Sequence, residues 1–296
     1  MPTVESLRRK LTVGEELHSV VSTMKGLAAV SIHEYEKAVR ALREYTTTIE
    51  QGLQILLMTG PEVFRDRIPP VRRTAMVVIG TDQGLCGPLN REIARHALEW
   101  SEEHGVGSDD RHVVAIGMRV ARELELVRLD PSEELKLPGS VDAVAPLVEE
   151  LLVAIDDWRS SAEVGRVVVF FQHPLSRIRR APRTFQVVPP DTRRLRSIGD
   201  RPWPTNMLPA SPHGREELLA GLLRQDLFIA LFRALAEGKA AEHGARLAAM
   251  QAAEQNIEER LDRLQRDFHQ LRQSEITGQL LDVVSGFEVL RDTEDL

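Results

Sequence analysis

Aromatic rings are scarce in this 296-residue chain: eight Phe, three Trp and two Tyr make up 4% of it. Each ring buries roughly 150–250 Å², so a thick core usually leans on several of them. Their scarcity points to a chain that packs in large part as a narrow seam of aliphatic side chains. Cysteine occurs once, at Cys86, which excludes an internal disulfide and fits a reducing compartment. No apolar run approaches the about 20 residues of a membrane span. The most hydrophobic stretch, Leu218 to Leu235, is broken by Arg224, Asp226 and Arg233. The beginning of the chain is charged from Glu5 to Lys10 and lacks the apolar core of a signal peptide. Lysine is confined to Lys10, Lys25, Lys37, Lys136 and Lys239, an arginine bias of the kind a GC-rich genome produces. A net charge of −7 and a pI near 5.8 argue against nucleic acid, which wants a basic face. With 42% hydrophobic and 28% charged residues, a disordered chain is excluded.

Proline is absent from both ends: none lies between Thr3 and Gly60, and none follows Pro212. Along the first of these stretches, Val21, Met24, Ala28, Ser31, Tyr35, Ala38, Leu42, Tyr45, Ile49, Gly52 and Leu56 follow alternating spacings of three and four. That is the heptad seam of a coiled coil. A single helix over this stretch would extend roughly 80 Å, with Gly60-Pro61 as its stop. Near the other end, Met250, Ile257, Leu264 and Leu271 repeat every seven residues, and Leu247, Leu261 and Phe268 interleave. Glu254 and Glu275 interrupt the pattern. Neither helix can bury its stripe alone. The economical solution is that they pack on each other, antiparallel, as a left-handed supercoil. Self-association of each helix in a homodimer is the rival.

Between the helices the period changes. Thr74 to Gly80, Arg111 to Gly117 and Arg166 to Phe171 are short apolar runs that read as buried strands, and Thr184 to Val188 is a weaker one. Helical spacing occupies Leu89 to Trp100, Arg119 to Leu124 and Val141 to Trp158. This alternation predicts a mostly parallel, Rossmann-like α/β domain with both faces of its sheet covered. The expected plan is a first helix over 1–60, the α/β domain over 74–190, a proline-rich linker over 191–212 and a last helix over 213–290.

Candidate chemistry is thin. Asp82-Gln83-Gly84-Leu85-Cys86-Gly87-Pro88-Leu89-Asn90 is a dense loop between a strand and a helix, where α/β sheets bind ligands. Its glycines match neither a dinucleotide fingerprint nor a P-loop, so a tight turn is the simpler reading. Cys86 has no evident base to make it a nucleophile and reads as a small buried hydrophobe. The nine histidines show no paired ligand spacing, so neither metal nor cofactor is assigned. Glu242-His243 reads as a solvated or inter-subunit contact. The Arg177–Arg183 and Arg193–Arg196 clusters read as basic patches on loops, and the charges along both long helices as solvated faces.

Three stretches together resemble the gamma subunit of rotary F-type ATP synthases. Leu11 to Ala29, with Met24 and Leu27-Ala28-Ala29, is similar to that family's first helix. Thr81-Asp-Gln-Gly-Leu-Cys-Gly-Pro-Leu-Asn90 is similar to its hallmark turn, with Asp82, Gly84, Cys86, Gly87 and Asn90 in register. Glu242 to Arg246, Met250, Asn256, Arg272 to Thr277 and Leu280 to Gly286 resemble its C-terminal signature. The chain departs from the pattern at four places. Gln83 stands for an Arg, Ser31 for a Lys, His269 for an Asn and Gln279 for a Glu. These departures resemble a paralogous bacterial branch sometimes described as sodium-translocating. The cysteine pair of the chloroplast-type redox switch is missing.

The resemblance implies a non-catalytic shaft within a hexamer of alternating alpha and beta subunits, with an α/β foot on the membrane ring of c subunits and epsilon beside it. It implies a peripheral place on the cytoplasmic side of a bacterial membrane. It also implies that Arg272, Gln273, Thr277 and Gln279 meet a beta subunit, with Met24 and Arg246 where the shaft crosses the lower hexamer. Two readings of another class stay open on the residues alone. One is a homodimeric coiled-coil scaffold with an α/β head; the other is an enzyme using the Gly84–Gly87 loop.

Overall fold

Where proline is missing, the chain is helical. Helix α1 runs Val4–Thr59 and helix α6 runs Arg215–Glu294, 56 and 80 residues without a break. The computed structural model describes residues 3–59, 72–161, 163–203, 205–207 and 214–294. Gly60 and Pro61, read as the stop of the first helix, lie outside them, and so does the greater part of the proline-rich stretch beyond Met207. Two compact units are present, Met1–Leu27 with Ala249–Leu296, and Ala28–Ala248. The division falls inside both long helices.

In the first unit the helices pair through a single seam. Gly14 faces Leu261, His18 Nε2 lies 3.1 Å from Glu258, and Lys25 reaches Glu254 at 2.7 and 2.5 Å. Numbers rise on one helix as they fall on the other, so the pair is antiparallel. On α6, Met250, Ile257, Leu261, Leu264, Phe268 and Leu271 are covered, as the seven-residue repeat predicts, and so are Ala249, Ala253 and Glu254. On α1 the seam continues upstream of Val21 through His18, Gly14, Leu11 and Leu7. Two of those positions are not apolar, which hid them from a hydrophobic-period rule.

The second unit holds the sheet. Its strands are β1 (Arg73–Ile79), β2 (Arg111–Ile116), β3 (Glu133–Leu135), β4 (Val164–Pro174) and β5 (Arg180–Val188), in the order β3-β2-β1-β4-β5. The first four are mutually parallel and β5 runs antiparallel to β4. Strand period two sends Ala75, Val77 and Ile79 to one face and Met76 and Val78 to the other. Helices α2 (Leu89–Glu103) and α3 (Met118–Leu126) cover the Met76 face with Ile93, Ala97, Val120 and Leu124. The Val77 face is covered by α4 (Val144–Ser161) and by α1 and α6, through Leu151, Ile155, Tyr35, Leu231 and Leu235. Each large aliphatic fully buried there contributes about 1.5–3 kcal/mol. The few aromatic rings gather in this unit: Tyr35, Trp158, Phe171 and Phe185 on one face, Trp100 and Phe170 on the other.

Several expectations need correction. Strand β3 was missed, because Glu133-Glu134-Leu135 has no apolar run; it is held through the backbone, with Val114 opposite Glu133. The segment read as linker begins with helix α5, Thr192–Gly199, whose N-cap Asp191 accepts the Arg193 N–H at 2.8 Å. Leu195 and Ile198 of α5 pack on Ile49, Leu53 and Leu219. The Arg193–Arg196 cluster is therefore helical, and Arg194 bridges Asp226 at 2.8 Å and Glu50 at 3.2 Å. The Arg177–Arg183 cluster spans the β4–β5 turn and enters β5, where Arg180 pairs with Glu92 at 2.8 Å. Tyr45, a predicted seam position, is exposed, and its hydroxyl donates to Gln225 at 2.7 Å.

Candidate functional site

The hallmark loop leaves the C-terminal end of β1 and enters α2. Thr81, wholly buried, donates its hydroxyl hydrogen to the Gln83 carbonyl and accepts from the Asn90 amide, both at 2.8 Å. Asp82 spans two other loops. Its Oδ1 accepts the Met118 N–H at 2.9 Å at the start of α3, and its Oδ2 accepts the Leu137 N–H at 3.2 Å. A carboxylate at a helix N-terminus is favoured by the helix dipole. Leu85 and Gly87 both take left-handed backbone, φ 62 and 63, which turns the chain so that Cys86 points inward. Cys86 is buried against Leu89 and Ala245, as a small hydrophobe. The loop is thus a structural knot that ties the ends of β1 and β2, α3 and the segment after β3. Gly84 presents its carbonyl to the Arg246 guanidinium at 3.4 Å.

That contact leads to the part of α6 that sequence reasoning misjudged. Glu242 is 2% exposed, not a solvated contact. It accepts from Lys239 at 2.8 Å and from Arg246 at 2.7 Å, the i+4 neighbour. Burial alone would raise its carboxyl, but the two cations outweigh that and hold it below the usual carboxylate range. His243 stacks on Tyr35 with ring centroids 5.8 Å apart. Burial is the main cause that brings its pKa down to about 4; Lys239 and Arg246 act the same way, and Glu242 opposes them. Tyr35 is pushed up to about 12, by burial first and then by Glu242 and Glu34. Glu237 is buried as well, between His173 at 2.7 Å and Arg233 at 2.9 Å.

The sequence-predicted contact residues divide between the two units. Arg246 belongs to the sheet-bearing unit and is engaged there. Met24 is half-buried on the α1 seam of the other unit. Arg272, Gln273, Thr277 and Gln279 are all exposed on α6, with Thr277 donating back to the Gln273 carbonyl at 2.9 Å. Beyond Leu271 the α1 partner runs out, since the antiparallel register places the start of α1 opposite that residue. From Arg272 to Val284 every α6 side chain is exposed, including Ile276, Leu280, Leu281, Val283 and Val284 at 48–62%. A second apolar stripe, missed from sequence, lies on α1: Val13, Leu17, Val20 and Leu27 are 48–64% exposed. Its 4-3-7 spacing was available in the sequence as a second helical face. Such contiguous apolar surface marks an interaction site. His18, Glu254 and Glu258 bring a ring nitrogen and two carboxylates within 4.8 Å of one another, but the Lys25 ammonium already neutralises Glu254.

Comparison with known proteins decides the family. The family model described as ATP synthase matches residues 3–290. The chain belongs to that family. The ATP synthase gamma chain of Anaeromyxobacter sp. (strain Fw109-5) is 27% identical over 300 residues, covering 98% of this chain and all of the relative. Among solved structures, a chain of the Euglena gracilis mitochondrial ATP synthase, OSCP/F1/c-ring, in rotational state 3 gives a TM-score of 0.63 at 13% identity. That match covers 99% of this chain and 96% of the other. A chain of the rotor of the same organism's enzyme in rotational state 1 gives 0.58 at 16% identity, covering 92% and 98%. At these identities the structural likeness establishes the fold: long N- and C-terminal helices packed together, with a central α/β sheet. Among the described residues no helix is long and apolar enough to cross a membrane.

Proposed function

We propose that the chain is the rotor shaft of an ATP synthase, acting within a hexamer of alternating alpha and beta subunits. In this reading the sheet-bearing unit engages the membrane ring of c subunits and the epsilon subunit. The observation that carries it is the uncovered apolar surface on both long helices, Val13 to Leu27 and Ile276 to Val284, at the positions of the family's first helix and C-terminal signature. Rotation presents a different part of that uneven surface to each beta subunit in turn. Interfaces that repack between discrete arrangements convert the rotation into changed nucleotide affinity. The chain performs no bond chemistry itself, and it sits peripherally on the cytoplasmic side of the bacterial membrane.

Arg272, Gln273, Thr277 and Gln279 are the residues we assign to the beta contact, with Met24 on the α1 seam. Arg246, spent on Glu242 and Gly84, serves that contact indirectly by holding α6 to the hallmark loop. The departures at Ser31, Gln83, His269 and Gln279 support the paralogous branch. Co-expression with alpha and beta subunits, followed by purification and mass measurement, tests the reading. One copy of the chain per three beta subunits is expected. A stable oligomer of this chain alone, with no alpha or beta retained, would sink it.

A further inference from the structure

The seam between α1 and α6 in the first unit is interrupted by polar side chains at one level. A large aliphatic fully buried on such a seam contributes about 1.5–3 kcal/mol. Here His18 of α1 and Glu254 of α6 take half-buried positions instead. Glu258 stands one turn along α6 from Glu254, and residues four apart in a helix are neighbours on one face. His18 Nε2 lies 3.1 Å from Glu258 Oε1. One ring nitrogen of His18 and one oxygen from each carboxylate all lie within 4.8 Å of one another. Among the described residues no other group of His, Cys, Asp and Glu side chains converges in this way. Nitrogen and oxygen donors that share a zinc ion, each about 2.0–2.2 Å from it, stand roughly 3–3.5 Å apart. The His18–Glu258 spacing already fits that geometry, and a modest side-chain rotation closes the rest.

A cation already sits against this group. Lys25 Nζ reaches both oxygens of Glu254, at 2.7 and 2.5 Å. No other cation is paired with Glu254 among the described residues, and Glu258 faces only His18. With the imidazole neutral, two carboxylates against one ammonium leave the rung negative. The Lys25 side chain is 34% exposed, so its ammonium can swing into water on a flexible stem at small cost. His18 is 35% exposed, which leaves the rung open to an entering ion. Imidazole with carboxylate is a donor set that suits zinc, whereas Mg²⁺ is held through oxygen and keeps its waters.

We propose that His18, Glu254 and Glu258 form a site for a zinc-class divalent cation that bridges α1 and α6, with the Lys25 ammonium as its built-in competitor. The ion takes one nitrogen and two carboxylates from the chain and completes its shell with water. His18 Nε2 binds through the lone pair of the neutral ring, so its proton moves to Nδ1. Such a bridge pins the two helices to each other at one level of the seam. The proposal goes beyond the rotor reading and does not depend on it.

The test is isothermal titration of Zn²⁺ into the full-length chain, with Mg²⁺ as a parallel arm. Saturable one-to-one binding of Zn²⁺ is expected, with none of Mg²⁺, and Zn²⁺ should raise the melting temperature. His18→Ala and Glu258→Gln should each weaken Zn²⁺ at least tenfold. Lys25→Gln should act in the opposite sense and strengthen it at least fivefold, because the competitor is gone. Melting each variant without metal checks that the helices still pair. No saturable binding of Zn²⁺ means that the polar rung only sets the register of the two helices, and the proposal fails. Binding that His18→Ala and Glu258→Gln leave unchanged is an adventitious ion only and overturns it equally. So does a Lys25→Gln chain that binds no more tightly than the native one, or a Mg²⁺ affinity that matches that of Zn²⁺.

Discussion

Between Ala234 and Leu247, helix α6 is covered on nearly every side; between Arg272 and Val284 it is covered on none. Composition runs opposite to a simple hydrophobic rule. The covered stretch is built of Ala and Gly with Glu237, Lys239, Glu242 and Arg246 among them, whereas the bare stretch carries Ile276, Leu280, Leu281, Val283 and Val284. Small residues bury a helix by letting its neighbours approach. Charged residues survive the same burial because each is matched: Glu242 by two cations, Glu237 by His173 and Arg233. The large aliphatics at the far end have no such neighbours among the described residues, and an exposed stripe of that kind suits an interface. Stability and recruitment are thus assigned to different sectors of one helix.

The comparison breaks most readily at Gly244. A Cβ there would lie 2.4 Å from the Arg177 carbonyl oxygen, a backbone atom that cannot move cheaply. Gly244→Val should cost about 3 kcal/mol in urea unfolding of the isolated chain. A loss under about 1 kcal/mol would show that the covered sector is looser than described.

A smaller effect follows from His243. Its folded pKa, about 4, lies below the ordinary 6.5. As pH falls below about 6.5 the unfolded chain takes up a proton that the folded chain refuses until about 4, so stability drops across that window. Part of the drop is screened because the ring is only partly buried; about 2 kcal/mol is expected. Glu242, whose folded pKa is depressed, contributes stability that is lost only as pH falls below the ordinary carboxylate range. Denaturant midpoints between pH 7 and 5 should therefore slope in the native chain and flatten in His243→Gln. Equal slopes in both would remove the buried neutral imidazole from the account.

The smallest effect belongs to the bare sector. Gln279 is exposed, and in the resembled family a Glu stands there, whose charged hydrogen bonds are the stronger. Gln279→Glu should change ATP hydrolysis and its coupling to ion pumping in the assembled enzyme while leaving assembly intact. Matching rates and pumping in the two forms would remove Gln279 from the coupling contact.

Legibility from sequence followed the same divide. Heptad spacing exposed the seam from Leu247 to Leu271 and from Val21 onward with Tyr45 excepted, most cleanly in the first unit, where one helix contacting one other leaves a clean period. Apolar runs exposed β1, β2 and β4, each buried on both faces. What stayed hidden depends on partners distant in sequence. Strand β3 is held by backbone pairing with β2, and helix α5 by Leu195 and Ile198 against α1 and α6. The buried Lys239–Glu242–Arg246 group looks from sequence like any solvated i, i+3, i+4 charge pattern. Only the sheet, hallmark loop and α1 around it reveal otherwise. The hallmark loop was legible as a turn, but the bonds of Asp82 to Met118 and Leu137 were not.

We assign to the bare end of α6 the recruitment of partners and no share in the chain's own stability. Replacing Ile276, Leu280 and Val284 together by Ser, in full-length chain co-expressed with alpha and beta subunits, tests it in one preparation. The variant alone should unfold within about 1 kcal/mol of the native chain, yet its yield in a one-to-three complex with beta should fall at least tenfold. A complex recovered at native yield, or a loss of stability as large as that expected for Gly244→Val, would contradict it.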